Sequence, residues 1–353
     1  MTQFANILAN IVATNSGVEY TTTGESSRAR MHSYHSKPSP RNFSAAFGND
    51  LKTAKPVDMR NFVGTKAKFT IGFEIEKNEL HRGAVREYEL FCGFEQDSSC
   101  GYEAVTNILP LVAEGQWRNK IFDMMHKAEK IIDSRYSRAD ETRTMNGVQL
   151  HKCGGHITIA CDGLTSRELM AKMRKYSGII YSLYRGRLFN SYCNENLRMH
   201  TDRSGDGYSS YINDVRGRYQ VALAKDYGCL EYRIVSKFDS VKQMRERYEL
   251  FYILMDTAVN APSTSFKALM NKLKPLLTRM YDGNMEIVQE RIVDAIDFQL
   301  WIDKAVITEN TMRWLTIKGQ QNYTRYYNAA AKRKHAELYG QDHLERAESR
   351  NNW

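Results

Sequence analysis

Four short stretches of this 353-residue chain carry acid, imidazole or guanidinium groups in patterns that could do chemistry. Three of them alternate as a β-strand does, so residues two apart share a face, and the fourth reads as a turn. In Lys68-Phe69-Thr70-Ile71-Gly72-Phe73-Glu74-Ile75-Glu76, one face carries Phe69, Ile71, Phe73 and Ile75 and the other carries Thr70, Gly72, Glu74 and Glu76. Two carboxylates therefore stand side by side with an apolar face behind them. A sheet can use that arrangement to hold acids in a cavity for a divalent cation. In Gly154-Gly155-His156-Ile157-Thr158-Ile159, His156 and Thr158 share a face, and the paired glycines let a backbone or ligand come close. In Cys229-Leu230-Glu231-Tyr232-Arg233-Ile234-Val235, Glu231 and Arg233 share a face. That spacing fits either a cross-strand surface pair or a metal ligand beside a phosphate clamp. Asp97-Ser98-Ser99-Cys100-Gly101-Tyr102-Glu103 reads as a turn that brings Asp97 and Glu103 close enough to share a cation. Each stretch alone suits a solvated strand face, because charged residues are mostly exposed. Together they point to an active-site cavity.

The bulk numbers suit a globular protein with a real core: 42% of residues are hydrophobic and 26% are charged. A formal net charge of +9 suits polyanionic partners such as nucleotides or nucleic acid. The charge is spread without a dense Lys/Arg block, and no aromatic-interleaved basic stripe is present, so nucleic acid is not the expected partner. The six cysteines (Cys92, Cys100, Cys153, Cys161, Cys193 and Cys229) form no Cys-x-x-Cys pair and read as reduced intracellular thiols. No apolar run approaches the roughly 18 residues of a membrane span. The N-terminus lacks the basic region of a secretory signal, so the expected location is the cytoplasm and no membrane partner is expected.

The elements that must position these groups divide the chain into three. Residues 1–64 read as a flexible leader. Phe4, Ile7, Leu8, Ile11 and Val12 give residues 3–13 the spacing of a short amphipathic helix, and a polar stretch follows. Residues 65–240 read as the catalytic core. It holds strands within 66–105, including one from Glu87 to Phe94 followed by a turn through Gly101. A helical period then runs from Pro110 to about Ser134, and 135–147 form a polar connection. Val148 to Cys161 is again strand-like. Ser166 is positioned to N-cap a helix reaching about Tyr184, with Glu168 one residue short of capping-box spacing. Residues 190–212 read as an irregular loop. Arg218 to Val235 reads as two strands joined near Lys225–Gly228. Residues 241–353 read as a helical C-terminal region with helices near 240–259, 264–281, 284–306 and 324–348 and a charged tail.

Five segments, in order and spacing, resemble the motifs of the amidoligase family: Gly72-Phe73-Glu74-Ile75-Glu76; Asp97-Ser98-Ser99 with Gly101-Tyr102-Glu103-Ala104-Val105; Leu109-Pro110-Leu111; Cys153-Gly154-Gly155-His156-Ile157; and Leu230-Glu231-Tyr232-Arg233. Members of that family are carboxylate–amine ligases related to glutamine synthetase and glutamate–cysteine ligase. The resemblance covers residues 66–240, about half of the chain. It implies an α+β fold, with a curved antiparallel β-sheet forming a glutamine-synthetase-like half-barrel and helices packed outside. It implies ATP and two or three Mg²⁺ or Mn²⁺ ions in the funnel. Glu74 and Glu76 would hold different ions, with Asp97 and Glu103 at the first site. His156 and Glu231 would join Glu74 at the second, between the ATP phosphates, and Arg233 would meet the transferred phosphoryl group. Thr158 stands where many relatives carry a second His and takes the place of a nucleotide contact. Arg185, Arg187, Arg216 and Arg218 are candidates by position for the phosphates and the acid substrate. Arg218 alternates with Gln220 on a strand leading to Glu231.

The implied chemistry moves the γ-phosphate of ATP onto a carboxylate, and an amine then attacks the acyl phosphate to give an amide. Phosphoryl transfer relies on positioning and charge neutralisation, which metal ions and Arg supply. An acid of the cluster would take the proton of the incoming ammonium. The expected partners are ATP, a carboxylate and an amine, the amine being a small molecule, a peptide or a protein side chain. The rival expectations are a guanidine-kinase-like phosphotransferase on the same fold, a non-catalytic binding protein that kept the fold, and a metal-dependent nuclease.

Overall fold

A computed structural model describes residues 56–81, 89–97, 100–140, 143–145, 148–150, 153–184, 187, 221–225 and 228–304. For 95–97, 143–145, 148–150, 297 and 300–304 it describes the backbone alone. The strand β1 (Phe69–Lys77) is the spine of the fold. It lies inside a seven-stranded antiparallel sheet with β2 (Phe91–Asp97), β3 (Gly101–Thr106), β4 (Leu109–Pro110), β7 (Gly155–Cys161), β8 (Ala222–Ala224) and β9 (Cys229–Tyr232). The order is β2-β3-β1-β7-β9-β8, with β4 also paired to β1, and the sheet is open. A separate hairpin joins β5 (Arg143–Met145) to β6 (Val148–Leu150). With its helices the fold is a mixed α/β architecture.

Alternation in β1 decides which face is covered. Phe69, Ile71, Phe73 and Ile75 are buried in the main apolar core together with Ile157, Ile159, Leu230 and Tyr232 from β7 and β9. The helix α6 (Val241–Asn260) packs on that face, where Phe251 meets Tyr232 edge-on at 5.0 Å. Its Tyr248 hydroxyl donates to the Pro110 carbonyl at 2.7 Å and accepts from the Val112 amide at 2.8 Å. The helices α7 (Phe266–Met280) and α8 (Met285–Lys304) complete the layer. Serine side chains cap the starts of α6 and α7: Ser240 accepts from the Gln243 amide at 3.1 Å and Ser265 from the Ala268 amide at 3.2 Å. The core begins by Val57. Val57, Met59 and Val63 are buried around the short helix α1 (Arg60–Val63), and Asp58 bridges to Ile108.

Several boundaries differ from the periodicity. The expected helix from Pro110 begins at Gln116, because Leu109–Pro110 pairs with β1 and the Leu111 amide donates to the Phe69 carbonyl at 2.8 Å. Gly115, at φ 146°, then turns the chain into α2 (Gln116–Lys127), and a break at Ala128 separates α3 (Glu129–Ile132). The helix cap expected at Ser166 is Thr165. Its hydroxyl accepts from the Glu168 amide at 3.2 Å while Glu168 accepts from the Thr165 amide at 2.8 Å, a full capping box. The single helix expected to Tyr184 is two, α4 (Ser166–Arg174) and α5 (Gly178–Leu183). Three-residue turns at Tyr176 and Ser177 tighten the chain and bring Gly178 against α8, where a Cβ would lie 2.3 Å from the Ala295 carbonyl oxygen. The strand expected over Glu87–Phe94 is displaced to Phe91–Asp97, and the expected polar connection holds β5.

Among the described residues no helix is long and apolar enough to cross a membrane. Among the described residues, Cys92, Cys100, Cys153, Cys161 and Cys229 are buried and form no disulfide. The expected helices at 3–13 and 324–348, the loop 190–212, Arg185, Arg216 and Arg218 lie outside the described residues.

Candidate functional site

The second face of the sheet carries the charged and titratable side chains. Strand register sets Glu74 of β1 opposite His156 of β7, Gly72 opposite Thr158, and Glu76 opposite Glu103 of β3. Thr158 in turn is the register partner of Glu231 on β9. Directly opposed residues of antiparallel strands project to the same side, so one face gathers Glu74, Glu76, Glu103, His156, Thr158 and Glu231. Arg233 follows β9 at the same alternation, its amide donating to the Val221 carbonyl at 2.9 Å. Most of these side chains are buried: Glu74 and Glu231 are each 1% exposed. Glu76 is the most open of the four glutamates at 13%. Below them Ile108, Ala160 and Cys229 form a small apolar floor. Burial and the nearby Glu231 push the Cys229 thiol up to about 12, which keeps it protonated and un-nucleophilic.

Two charge clusters stand on this face. In the first, His156 Nδ1 donates to Glu74 Oε2, and its Nε2 faces Glu76 Oε1 at 3.8 Å. The imidazole thus spans both acids of the β1 motif. The other oxygen of Glu76, Oε2, accepts from the Gly154 amide at 2.5 Å. In the second cluster, Arg233 Nη1 donates to Glu231 Oε1 at 2.5 Å and Lys225 Nζ to Glu231 Oε2 at 2.5 Å. Burial alone would raise the Glu231 carboxyl. Arg233, Lys225 and His156 outweigh both that and the repulsion of Glu74, and hold it below the ordinary carboxylate value. His156 and Thr158 lie two apart on β7, so the clusters are diagonal neighbours across β7 and β9.

The paired glycines have separate reasons. A Cβ on Gly154 would lie 2.4 Å from Arg187 Nη2, and a Cβ on Gly155 would lie 2.5 Å from Phe238 Cε2 and 3.1 Å from the Glu74 carbonyl. The Arg187 guanidinium therefore covers the peptide whose amide meets Glu76, and its Nη1 reaches the Cys153 carbonyl at 3.4 Å. Behind the site, the Gly155 amide donates to the Val235 carbonyl at 3.1 Å, and Gly154 bridges to Ser236. Buried Arg247 of α6 fixes that segment, donating to the Ser236 carbonyl at 2.7 Å and the Lys237 carbonyl at 3.0 Å while stacking on Phe238 at 4.4 Å.

Of the residues expected at the site, the fold brings Glu74, Glu76, Glu103, His156, Thr158, Glu231 and Arg233 onto one face, with Arg187 beside Gly154. The Asp97 backbone lies at the hairpin end, as register partner of Gly101. Among the described residues no three His, Cys, Asp or Glu side chains converge as a ready ligand set for a metal ion. One reason is visible: both oxygens of Glu231 are engaged by cations. Lys225 is the site residue that sequence reasoning missed. Alternation contained the signal, because Leu223 is the register partner of Glu231 and Lys225, two residues on, shares its face. Compared with protein-family models, with curated proteins and with solved structures, the chain finds no match.

Proposed function

We propose that the chain is an ATP- and divalent-metal-dependent ligase that joins a carboxylate to an amine through an acyl phosphate. One observation carries the reading. Four strands gather Glu74, Glu76, Glu103, His156, Glu231 and Arg233 on a single face, all but Glu76 buried, and sheet formation itself needs none of them there. Burying so many charges is costly unless they serve each other or a ligand. The resemblance of these segments to the amidoligase motifs supports the same reading, and extends it to a curved, half-barrel form of the sheet.

The donor types on this face are those a hard divalent cation takes. Glu76 and Glu103 are direct register partners, so their strands set two carboxylates side by side. Glu74, Glu76 and Glu103 would hold such ions with His156, and the motif resemblance adds Asp97 to that set. Bound ATP and metal supply the phosphoryl donor and the counter-charge. The chain's own groups do the rest. Arg233, set against Glu231 and fixed in direction, holds an anionic group near β9. His156 orients Glu74 through the hydrogen bond from its Nδ1. Glu76, the most open acid, accepts the proton of the incoming ammonium.

The test is a screen of amino acids, polyamines and peptides for amine-dependent release of ADP and phosphate, with mass detection of an amide. Glu74→Gln and Glu76→Gln should each fold and lose that turnover by at least about a hundredfold, the scale of a lost charge contact to the reacting groups. Full activity in both variants sinks the reading. A phosphorylated product in place of an amide would transfer it to the guanidine-kinase-like alternative.

A further inference from the structure

We infer that the cavity between α2, α6 and the end of α7 is a binding site for a free α-amino acid, with Arg245 taking its carboxylate and Glu246 its ammonium. The inference is independent of the ligase reading, because the cavity shares no residue with the acid-bearing face of the sheet. Helical spacing builds it. Lys242, Arg245, Glu246 and Glu249 fall on one stripe of α6. Phe122 of α2, Arg279 of α7 and Asp282 in the turn after α7 line the same space. Its volume is about 730 Å³, within the roughly 300–1,000 Å³ of small-molecule sites.

Pairing the charges singles out two groups. Arg279 Nη2 meets Glu249 Oε2 at 2.5 Å, and Lys242 Nζ meets Asp282 Oδ1 at 2.5 Å. Arg245 forms no ion pair among the described residues: its Nη2 donates to the Phe122 carbonyl at 2.7 Å, and its Nε is buried without a hydrogen bond. The acid that acts on it from a distance, Asp123, is engaged by Lys127 at 2.7 Å. Glu246 is 8% exposed. Its cation partner is Lys242 Nζ at 3.8 Å, longer than a hydrogen bond, and that ammonium is already held by Asp282. Burial raises the Glu246 carboxyl, with Lys242 and Arg279 partly opposing, and burial lowers the Arg245 guanidinium. Each buried charge therefore carries a cost that a ligand group of opposite sign relieves. Arg245 and Glu246 are consecutive and line one cavity, so the two charges they take are close together, as they are on the α-carbon of an amino acid. A dicarboxylate or a diamine would leave one of the pair unanswered. Phe122 and Val241 give the cavity an apolar side for the ligand's side chain.

Thermal unfolding of the full-length chain with each standard amino acid finds the ligand, since binding to the folded state raises the midpoint. Calorimetry then compares that amino acid with its N-acetyl and carboxamide derivatives, and wild type with Arg245→Gln and Glu246→Gln. Each derivative and each variant should bind about ten- to a hundredfold more weakly, the scale of one lost charge-assisted contact. Glu246→Gln should unfold no more readily than wild type, because it removes a buried charge. A Glu246 that served only the fold would do the reverse, losing stability with binding unchanged, and that result overturns the inference. Hydrogen exchange on wild type decides the matter without any variant: the amino acid should protect α2 and the turn at 281–283. Protection confined to the strands of the sheet, blocked derivatives that bind as well as the parent, or no amino acid that raises the midpoint would each overturn it.

Discussion

Replacing Lys77 with methionine, and following stability across pH, tests how the sheet is pinned behind its acids. Lys77 ends β1 on the apolar face and is fully buried. Its ammonium donates to the Ile132 carbonyl at 2.7 Å and the Phe238 carbonyl at 2.8 Å, joining the end of α3 to the segment after β9. Burial lowers its pKa from 10.5 to about 8, with Asp239 and Asp133 partly opposing. The folded chain therefore releases this proton near pH 8 and the unfolded chain near 10.5. Between those values the unfolded state binds more protons, so stability rises with pH. At about 1.4 kcal/mol per pH unit, the interval from about 8 to 10.5 is worth about 3 kcal/mol. The neutral amine still has two N–H groups for the two carbonyls, so deprotonation relieves the buried charge and keeps both bonds. Methionine fills the stem but leaves both carbonyls without their donor, a loss of about 1–3 kcal/mol for each that does not vary with pH. Urea unfolding of wild type and Lys77→Met at pH 7 and at pH 10 reads the difference. The stability gap should widen by about 2–3 kcal/mol at the higher pH. Gaps that stay equal at the two pH values would refute the argument.

Three further outcomes follow from the packing. Gly155→Ala drives a Cβ to 2.5 Å from the Phe238 ring and should cost about 1–3 kcal/mol while displacing His156; urea unfolding and His156 NMR shifts check both. Tyr248→Phe removes the donor to Pro110 and the acceptor of Val112 in a buried setting, and should lower stability by about 1–3 kcal/mol in chemical denaturation. Thr165→Ala opens the α4 capping box and should cost about 0.5–2 kcal/mol by the same measurement.

The legible part of the molecule was the part governed by strict alternation. In β1 a fully apolar row opposes Thr70, Gly72, Glu74 and Glu76, and a slip of one residue would put the acids in the core, so register and face follow from the pattern alone. The same holds for β7 and β9, and it is why seven of the expected site residues share a face. The illegible part depended on contacts distant in sequence. Leu109–Pro110 extends as strand only because β1 offers it a partner. The split between α4 and α5 reflects the close approach of α8 at Gly178. Lys225 reads as an ordinary turn lysine until the hairpin register shows that Glu231 lies diagonally from it. Nor does the pattern reveal that Arg233 and Lys225 both reach the Glu231 carboxylate.

The run of seven consecutive register partners between β1 and β7, from Phe69↔Cys161 to Ile75↔Gly155, has an evolutionary consequence. Because the same pairs that close the sheet also set Glu74 against His156, a one-residue shift inside either strand would separate those two side chains and turn the apolar row of β1 away from the core. Changes of length are better borne by the connections between strands.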